Sequence, residues 1–424
     1  MEMQVQQALE NAGFTFVQAE PRLAELRNHR PDFIAWASNE YGELVPWGVV
    51  EVKSASPKPP ELSLPSLARY RDLLGTIDHY IVIDEEWFRA DDGLRSLERV
   101  DSPQPPRFGS HGELTQAALI TSLLTSQLRR GTPVQLDPQS QLKAAAEVLR
   151  TAVERGVEIA PGEFAPFARQ AMFEASQRLV GEVLEVGYGG PVVSPSSPLA
   201  QAMAALGRQR LSGVVLDPFS AGGTLLWAAA KEARGRSTNI DLRGREFADA
   251  SRELAEAIAL SSPANATFQT AGDLFFQPTE ADLIVSVPPF GIRMRSQSGR
   301  PYELLDGSRT RDGEFVVVDL ILRSLNPGGR AVLLVPTSFT FRASGEHYRR
   351  FLAENFRVAA LIGLQEALRP ATSVATVLMV IDKAEPGETF VAQLAGDWEP
   401  QLAPGGAALE AALVHIEAPA MSGN

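Results

Sequence analysis

The stretch Asp282-Leu-Ile-Val-Ser-Val-Pro-Pro-Phe-Gly291 assembles the groups needed to hold a planar aromatic amine. Its two consecutive prolines fix φ and remove two backbone donors, so the carbonyls around Pro288 and Pro289 are left to accept hydrogen bonds. Phe290 offers a face on which a ring can stack. Val287, just before the prolines, has no side-chain acceptor for the amine, and strand alternation turns Ser286 away from Val287's direction. The ordinary alternative for these residues is a buried strand followed by a turn.

A second constellation lies near the N-terminus. Arg30-Pro31-Asp32 opens one apolar strand, and Gly48-Val-Val-Glu51-Val-Lys53 closes another after a Tyr-Gly-Glu turn. Period-two spacing puts Glu51 and Lys53 on one face, where a paired antiparallel strand can bring Asp32 alongside. Asp32 and Glu51 are then candidate ligands of a hard cation such as Mg²⁺, and Lys53 can orient or stabilise a water attacking phosphate. An exposed Glu-x-Lys ion pair is the plainer reading. Glu10 is either a further carboxylate of this corner or part of a solvated helix face.

A third group of residues suits a nucleotide-like ligand. Strand 214–216 ends in Asp217-Pro-Phe-Ser-Ala-Gly-Gly223, and the small residues at this strand-to-helix turn let backbone approach a ligand, with Phe219, Ser220, Ala221 and Gly222 as its lining. The next strand is read as ending at Asp241, an acid suited to ribose hydroxyls, and the third at Gly272-Asp273, with Leu274 and Phe275 to flank an adenine. Aspartate at a strand end also serves as a turn or cap. Neither a Gly-Lys-Ser/Thr phosphate loop nor a GxGxxG spacing is present, so a cofactor without phosphates fits better. S-adenosylmethionine meets that requirement, with Ser194-Pro195 placed to cover its methionine end.

These residues need elements to hold them. Residues 1–108 mix short strands with helices and finish in the turn-rich DSPQPPRFGS, 112–185 show helical spacing with no convincing strand, and 186–385 alternate apolar strands with helices. Strand runs apolar on both faces imply a mostly parallel, doubly wound α/β sheet of the Rossmann-like kind. Residues 386–424 are expected to form Gly-rich turns and one helix, GGAALEAALVHI. Arg293, Arg295, Arg300, Arg309 and Arg311 follow the Pro-Pro-Phe stretch, among Glu303, Asp306 and Asp312, as either a local basic groove or a solvated loop.

The chain has 424 residues, no cysteine and a formal net charge of −13. Its length allows two or three domains, and 44% hydrophobic residues are ample for their cores. Lack of cysteine excludes disulfides and thiolate metal sites. The acidic balance argues against nonspecific coating of nucleic acid, whose affinity comes from phosphate neutralisation, but leaves room for a local basic site. No run reaches the roughly 18 apolar residues of a membrane span, and the expected location is the cytoplasm. His29 and His347 are isolated, and five histidines make neither a zinc cluster nor a Ser/His/Asp set.

Taken in order, DPFSAGG, Asp241, GDLF, the Pro-Pro-Phe strand, LNPGGRAVLLVP and RPATSVATVLMVID resemble the N6-adenine DNA methylases, above all the modification subunits of type I restriction systems and fused restriction-methylation enzymes, over residues 190–383. That resemblance implies a methyltransferase sheet, cofactor contacts from Asp217, Asp241 and Asp273, and an adenine amine held between the carbonyl of Pro288 and the polar residue that family members carry where this chain has Val287. Loss of one preorganised polar group costs on the order of 10²–10³ in rate, so methyl transfer is expected to be impaired. RPD…EVK, with SLARYRDLLG and DHYIVID after it, is similar to the PD-(D/E)xK nucleases over residues 1–100. Together they imply a restriction-modification-like protein acting on DNA, with a helical connector between a nuclease-like and a methylase-like domain. A catalytically inactive methylase fold that senses methylation state is the rival implication, and RNA or a protein glutamine are other planar-amine substrates. Fused relatives carry a long recognition domain after the methylase, so a separate specificity subunit is expected as partner.

Overall fold

The computed structural model describes residues 1–26, 29–54, 59–131, 137–187, 193–194, 197–236, 238–271, 277–291, 301–365 and 374–418. The chain forms two compact units, Met1–Leu136 with Glu147–Leu179, and Asp137–Ala146 with Val180–Asn424.

In the first unit, β1 (Phe16–Ala19), β2 (Phe33–Ser38), β3 (Leu44–Lys53), β4 (Asp78–Ile83), β5 (Glu86–Ala90) and β6 (Leu97–Val100) lie side by side in chain order. Every neighbouring pair is antiparallel except β3 and β4. A parallel step needs a crossover, and helix Leu64–Leu74 supplies it, starting with a proline in its first turn and ending at Gly75 in the left-handed region. Helix Glu2–Asn11 sends Val5 and Leu9 into a core with Phe33, Trp47 and Tyr80.

The segment expected to be helical without strands contains a hairpin, β7 (Val157–Ala160) and β8 (Glu163–Ala165). Strands of four and three residues are too short for alternation to stand out beside long helices. Gly162, at φ +80°, makes its turn.

The second unit is built on β9 (Gly213–Asp217), β10 (Ile240–Glu246), β11 (Asn265–Thr270), β12 (Ala281–Ser286), β15 (Leu325–Pro336), β16 (Arg357–Leu364), β17 (Thr376–Asp382) and β18 (Phe390–Gln393), with a small hairpin of β13 (Tyr302–Glu303) and β14 (Arg309–Thr310) beside it. The sheet runs β11-β10-β9-β12-β15-β17-β16-β18, and β17 alone is antiparallel to its neighbours. The winding reverses between β9 and β12, which is where open α/β sheets bind ligands, beyond the carboxyl ends of the strands. Helix Gly313–Ser324 packs on one face, with Phe315, Ile321 and Leu322 against Ile284, Leu333 and Ile381.

Neither β16 nor β18 was expected. RVAALIGL follows a polar helix and mixes alanine and leucine, residues that suit helix as well as strand. Residues after 385 complete the sheet: β18 pairs in parallel with β16, and the expected helix forms as Ala407–Glu417. Glu417 is ion-paired with Arg208, and Arg357 donates to the carbonyls of His415 and Ile416 at 3.3 and 3.2 Å.

A buried ion pair ties this sheet to the helix before it. Arg330 on β15 donates to both carboxylate oxygens of Asp382 on β17 at 2.6 and 2.9 Å, and its third bond, 2.9 Å, reaches the carbonyl of Leu206 at the end of helix Pro198–Leu206. Removing Arg330 would leave the buried Asp382 carboxylate only its longer, 3.7 Å pairing with Arg357, and breaking such a buried pair costs about 3–5 kcal/mol. Arg330→Met is therefore expected to lower the urea unfolding free energy by that amount, whereas the double variant Arg330→Met/Asp382→Leu recovers much of it. Equal stability of the single and double variants would contradict this account.

Candidate active site at the carboxyl edge of the second unit

Asp217 is the last residue of β9 and Ser286 the last of β12, and the Ser286 hydroxyl donates to Asp217 Oδ1 at 2.6 Å. The backbone N–H of Phe219 donates to the same oxygen at 3.0 Å. The turn that follows passes through three successive left-handed residues, Ala221 (φ 43°), Gly222 (74°) and Gly223 (79°). For Ala221 this conformation is strained, because its Cβ crowds the backbone. A Cβ on Gly223 would come within 2.7 Å of the Trp227 indole, and one on Gly244 of β10 would collide with Phe268 and lie 2.8 Å from Ser220 Oγ. The tight approach of turn and strand therefore depends on both glycines.

Expected as the ribose acid, Asp241 is displaced from the site. It pairs in register with Val214 at the amino end of the sheet and is ion-paired with Arg243 at 2.8 Å. The strand does not stop at NIDL but runs on to Glu246, which occupies the carboxyl end. Ser220 Oγ donates to Glu246 Oε1 at 2.5 Å and the N–H of Gly222 at 2.8 Å. Alternation could have revealed it: Ile240, Leu242, Gly244 and Glu246 are the buried positions of β10.

Both acids are fully buried, and burial is the chief reason that each is pushed up to about 7. For Asp217 the Ser286 and Phe219 bonds oppose the rise and the nearby charge of Glu246 adds to it. For Glu246 the Ser220 hydroxyl and the Gly222 amide oppose it. Glu246 Oε2 is buried without a hydrogen bond among the described residues. The amide that would greet an anion at the start of helix Thr224–Gly235 is already taken, and two carboxylates repel phosphate. Hydroxyl donors and a cationic ligand fit this turn. Phe219 stacks on Phe247 with centroids 5.7 Å apart, and Phe247 is 40% exposed, so an aromatic face lies next to Glu246.

On the other side of the winding reversal, Pro288 is buried and Val287, Pro289 and Phe290 are half-buried. The loop after Phe290 is pinned, since the N–H of Gly291 donates to Glu314 Oε1 at 3.1 Å. Arg342 holds the other oxygen of Glu314 at 3.2 Å and also bonds Asp312, which caps helix Gly313–Ser324. Asp217, Phe219, Ser220, Ala221, Gly222 and Ser286 thus meet at one edge with the start of the Pro-Pro-Phe stretch. Ser194 is half-buried ahead of helix Pro198–Leu206, its carbonyl accepting from Ser197 at 3.0 Å. Asp273, Leu274, Phe275, Arg293, Arg295 and Arg300 lie outside the described residues. Arg309 is exposed and ion-paired with Glu303 at 3.1 Å.

The first unit brings Asp32, Glu51 and Lys53 together. Asp32, just before β2, accepts from the N–H of Val52 at 2.6 Å, while Glu51 is ion-paired with Lys53 and accepts from the Tyr70 hydroxyl at 2.7 Å. Burial raises the Asp32 carboxyl, its bond from Val52 lowers it, and the charge of Glu51 raises it again. Glu2, rather than Glu10, is the acid of the first helix whose charge reaches Asp32; Glu10 is exposed and bonded by Gln6 at 2.9 Å. Sequence reasoning also missed Tyr70, although Leu64, Leu67 and Tyr70 recur at helical spacing as the buried face of their helix. Among the described residues no group of three or more His, Cys, Asp or Glu is arranged to hold a metal ion. His29 is exposed and bonded to Arg69.

No curated protein matches the chain. Among solved structures, a Listeria monocytogenes protein described as a class I S-adenosylmethionine-dependent methyltransferase is similar with a TM-score of 0.54 at 17% identity, covering 70% of this chain and 98% of that one. The type I restriction-modification methyltransferase subunit of Streptococcus thermophilus gives 0.47 at 18%, covering 65% and 64%. The type IIG restriction endonuclease BpuSI gives 0.45 at 15%, covering 97% and 59%. The first of these likenesses shows that the second unit shares the methyltransferase fold. Residues 187–395, from the approach to β9 through β18, match the family model described as N-6 DNA Methylase.

Proposed function

We propose that the second unit binds S-adenosylmethionine at the Asp217–Gly223 turn and Glu246, and acts on the amino group of an adenine in DNA at Pro288-Pro289-Phe290, as restriction-modification methylases do. The observation that carries this reading is the buried bond between Ser286 and Asp217, which fixes the ends of β9 and β12 against each other so that both loops open on one edge. The cofactor supplies a methyl group on a cationic sulfonium. Glu246 takes the ribose hydroxyls, Phe219 and Phe247 flank the adenine, and Ser194 covers the amino acid end. The Pro288 carbonyl accepts from the target amine and Phe290 stacks on the extruded base, whose unstacking costs a few kcal/mol. Val287 leaves the amine with one acceptor too few, and transfer is slow.

A second reading is favoured by the commitment of the Ser286 hydroxyl to Asp217, which leaves only the apolar side chain of Val287 directly before the prolines. In it the fold binds a methylated or otherwise unreactive base and senses methylation state for a nuclease or defence complex. For the first unit we propose a PD-(D/E)xK-type, Mg²⁺-dependent DNA nuclease. The convergence of Asp32, Glu51 and Lys53 supports it, and so does the repulsion that Glu51 imposes on Asp32, which a cation would relieve. DNA is the shared partner. Sequence readout is assigned to a separate recognition subunit.

Calorimetry with S-adenosylmethionine tests the cofactor turn. Asp217 and Glu246 give up protons to meet a cationic ligand, so affinity is expected to rise with pH through about 7, with proton release into the buffer. In the free protein the sign is opposite. These raised carboxyls contribute stability that is fully present at acid pH and is lost as pH climbs from the usual carboxylate range through about 7. Asp217→Asn with Glu246→Gln flattens both profiles, and pH-independent binding by the wild type would count against the reading.

Transfer of tritiated methyl groups to unmethylated DNA separates the two functions of the second unit. Cofactor binding with little transfer, and a gain on the order of 10²-fold in Val287→Asn, supports the slowed methylase. Tight binding of methylated DNA with no gain in the variant supports the sensor. For the first unit, the wild type with Mg²⁺ is expected to nick or cut plasmid DNA, alone or with its recognition subunit, and Asp32→Asn or Lys53→Ala to lose at least 10²-fold of that activity. No cleavage where a control nuclease cuts would eliminate this assignment.

A further inference from the structure

Beside the Pro-Pro-Phe edge stands an aromatic side chain that the proposed function does not use. Ser286, at the end of β12, is in register with Leu333 of β15, but β15 continues three residues further, to Pro336. At roughly 3.3 Å per residue its end stands about 10 Å beyond that of β12. The chain then turns through Ser338–Phe341 into Arg342. Phe339 points inward and packs on Phe315 with centroids 4.8 Å apart, whereas Phe341 is 70% exposed.

A lone exposed apolar residue needs no explanation. Phe341 differs because its mount is shared with the target-base loop. Thr337 donates to the carbonyl of Ala375 at 2.9 Å, and Arg349 donates to the carbonyls of Phe339 and Arg342 at 3.2 and 2.7 Å. The Arg342 side chain bonds Ser338 Oγ at 2.9 Å, Asp312, and Glu314. Glu314 is buried, and its other oxygen accepts from Gly291, the residue directly after Phe290. One carboxylate therefore spans the corner that carries Phe341 and the loop that carries Phe290.

We propose that Phe341 is a second DNA-contacting aromatic, which stacks on a base next to the one received by Phe290, with the Arg342–Glu314 clasp setting the spacing of the two. It rests on the reading that Pro288-Pro289-Phe290 receives a DNA base. Its position at the outer rim of the ligand-binding edge is where a strand lying over that edge would first meet the protein. Stacking on an aromatic replaces part of the contact that an extruded base and its neighbour lose.

The test uses the full chain and DNA duplexes carrying 2-aminopurine at a mismatch, where extrusion is easiest, with fluorescence reporting unstacking. Phe341→Ala is expected to bind S-adenosylmethionine as the wild type does, to bind DNA about tenfold more weakly, and to give a smaller fluorescence rise. Phe341→Trp restores both, and Glu314→Gln lowers the fluorescence rise with Phe341 intact. Wild-type binding and fluorescence in Phe341→Ala, alongside a loss in Phe290→Ala, would overturn the assignment to Phe341 while leaving the target-base reading in place. If wild type and Phe290→Ala are equally silent, the target-base reading falls and this proposal with it.

Discussion

Two carboxylates buried without a cation among the groups that bond them govern the second unit. A carboxylate taken out of water is tolerated only where hydrogen bonds replace its hydration or where it holds its proton. Asp217 and Glu246 meet this condition with different donors: a serine from the neighbouring strand for one, and the hydroxyl and amide of the turn for the other. Much of the local structure follows from supplying those donors. The left-handed run at Ala221–Gly223 aims the Gly222 amide, Gly244 clears space for Ser220, and the lateral pairing of β9 with β12 brings Ser286 within reach. Two buried acids at one turn disfavour phosphate and favour hydroxyl donors or positive charge.

The parts of the fold legible in the sequence are those whose periodicity has one meaning. Short Val/Ile/Leu runs bounded by turn residues, such as 214–216, 283–285 and 331–335, fit strands covered on both faces, and the structure forms them as strands with helices between. Legibility failed where a segment was short or its composition neutral, as in the three- and four-residue strands β8 and β7, and in β16, whose alanines and leucines suit a helix. Asp241 was misplaced for a related reason. Arg243 and Arg245 are half-buried alternate positions of β10 and make its second half look like a polar loop, although the buried positions continue without a break to Glu246. Register across strands, which sequence does not contain, decides which of two acids five residues apart on one strand reaches the carboxyl edge of the sheet.

Register also decides what Ser286 can do. It is the only hydroxyl in the Asp282–Gly291 stretch, and alternation alone separates it from Val287. Its bond to Asp217 realises that separation: the serine is committed to the end of β9, and Val287 is left next to the prolines. Recruiting Ser286 as an amine acceptor would leave Asp217 with one fewer donor in a dry site, a loss of about 1–3 kcal/mol. The polar group missing before the prolines is therefore not supplied by its neighbour.

The acid cluster of the first unit solves the same problem by other means. Glu51 is buried, like Asp217 and Glu246, but it is joined by the ammonium of Lys53 and the hydroxyl of Tyr70, while Asp32 keeps more contact with water. The ammonium supplies Glu51 with a counter-charge that water would otherwise have to replace. Carboxylates satisfied only by hydroxyls and amides instead stand near the middle of their titration, so that a ligand's charge or hydroxyl groups decide their state. Each cluster thus carries an electrostatic cost of folding, offset at Glu51 by a neighbouring ammonium and at Asp217 and Glu246 by hydroxyl and amide donors alone.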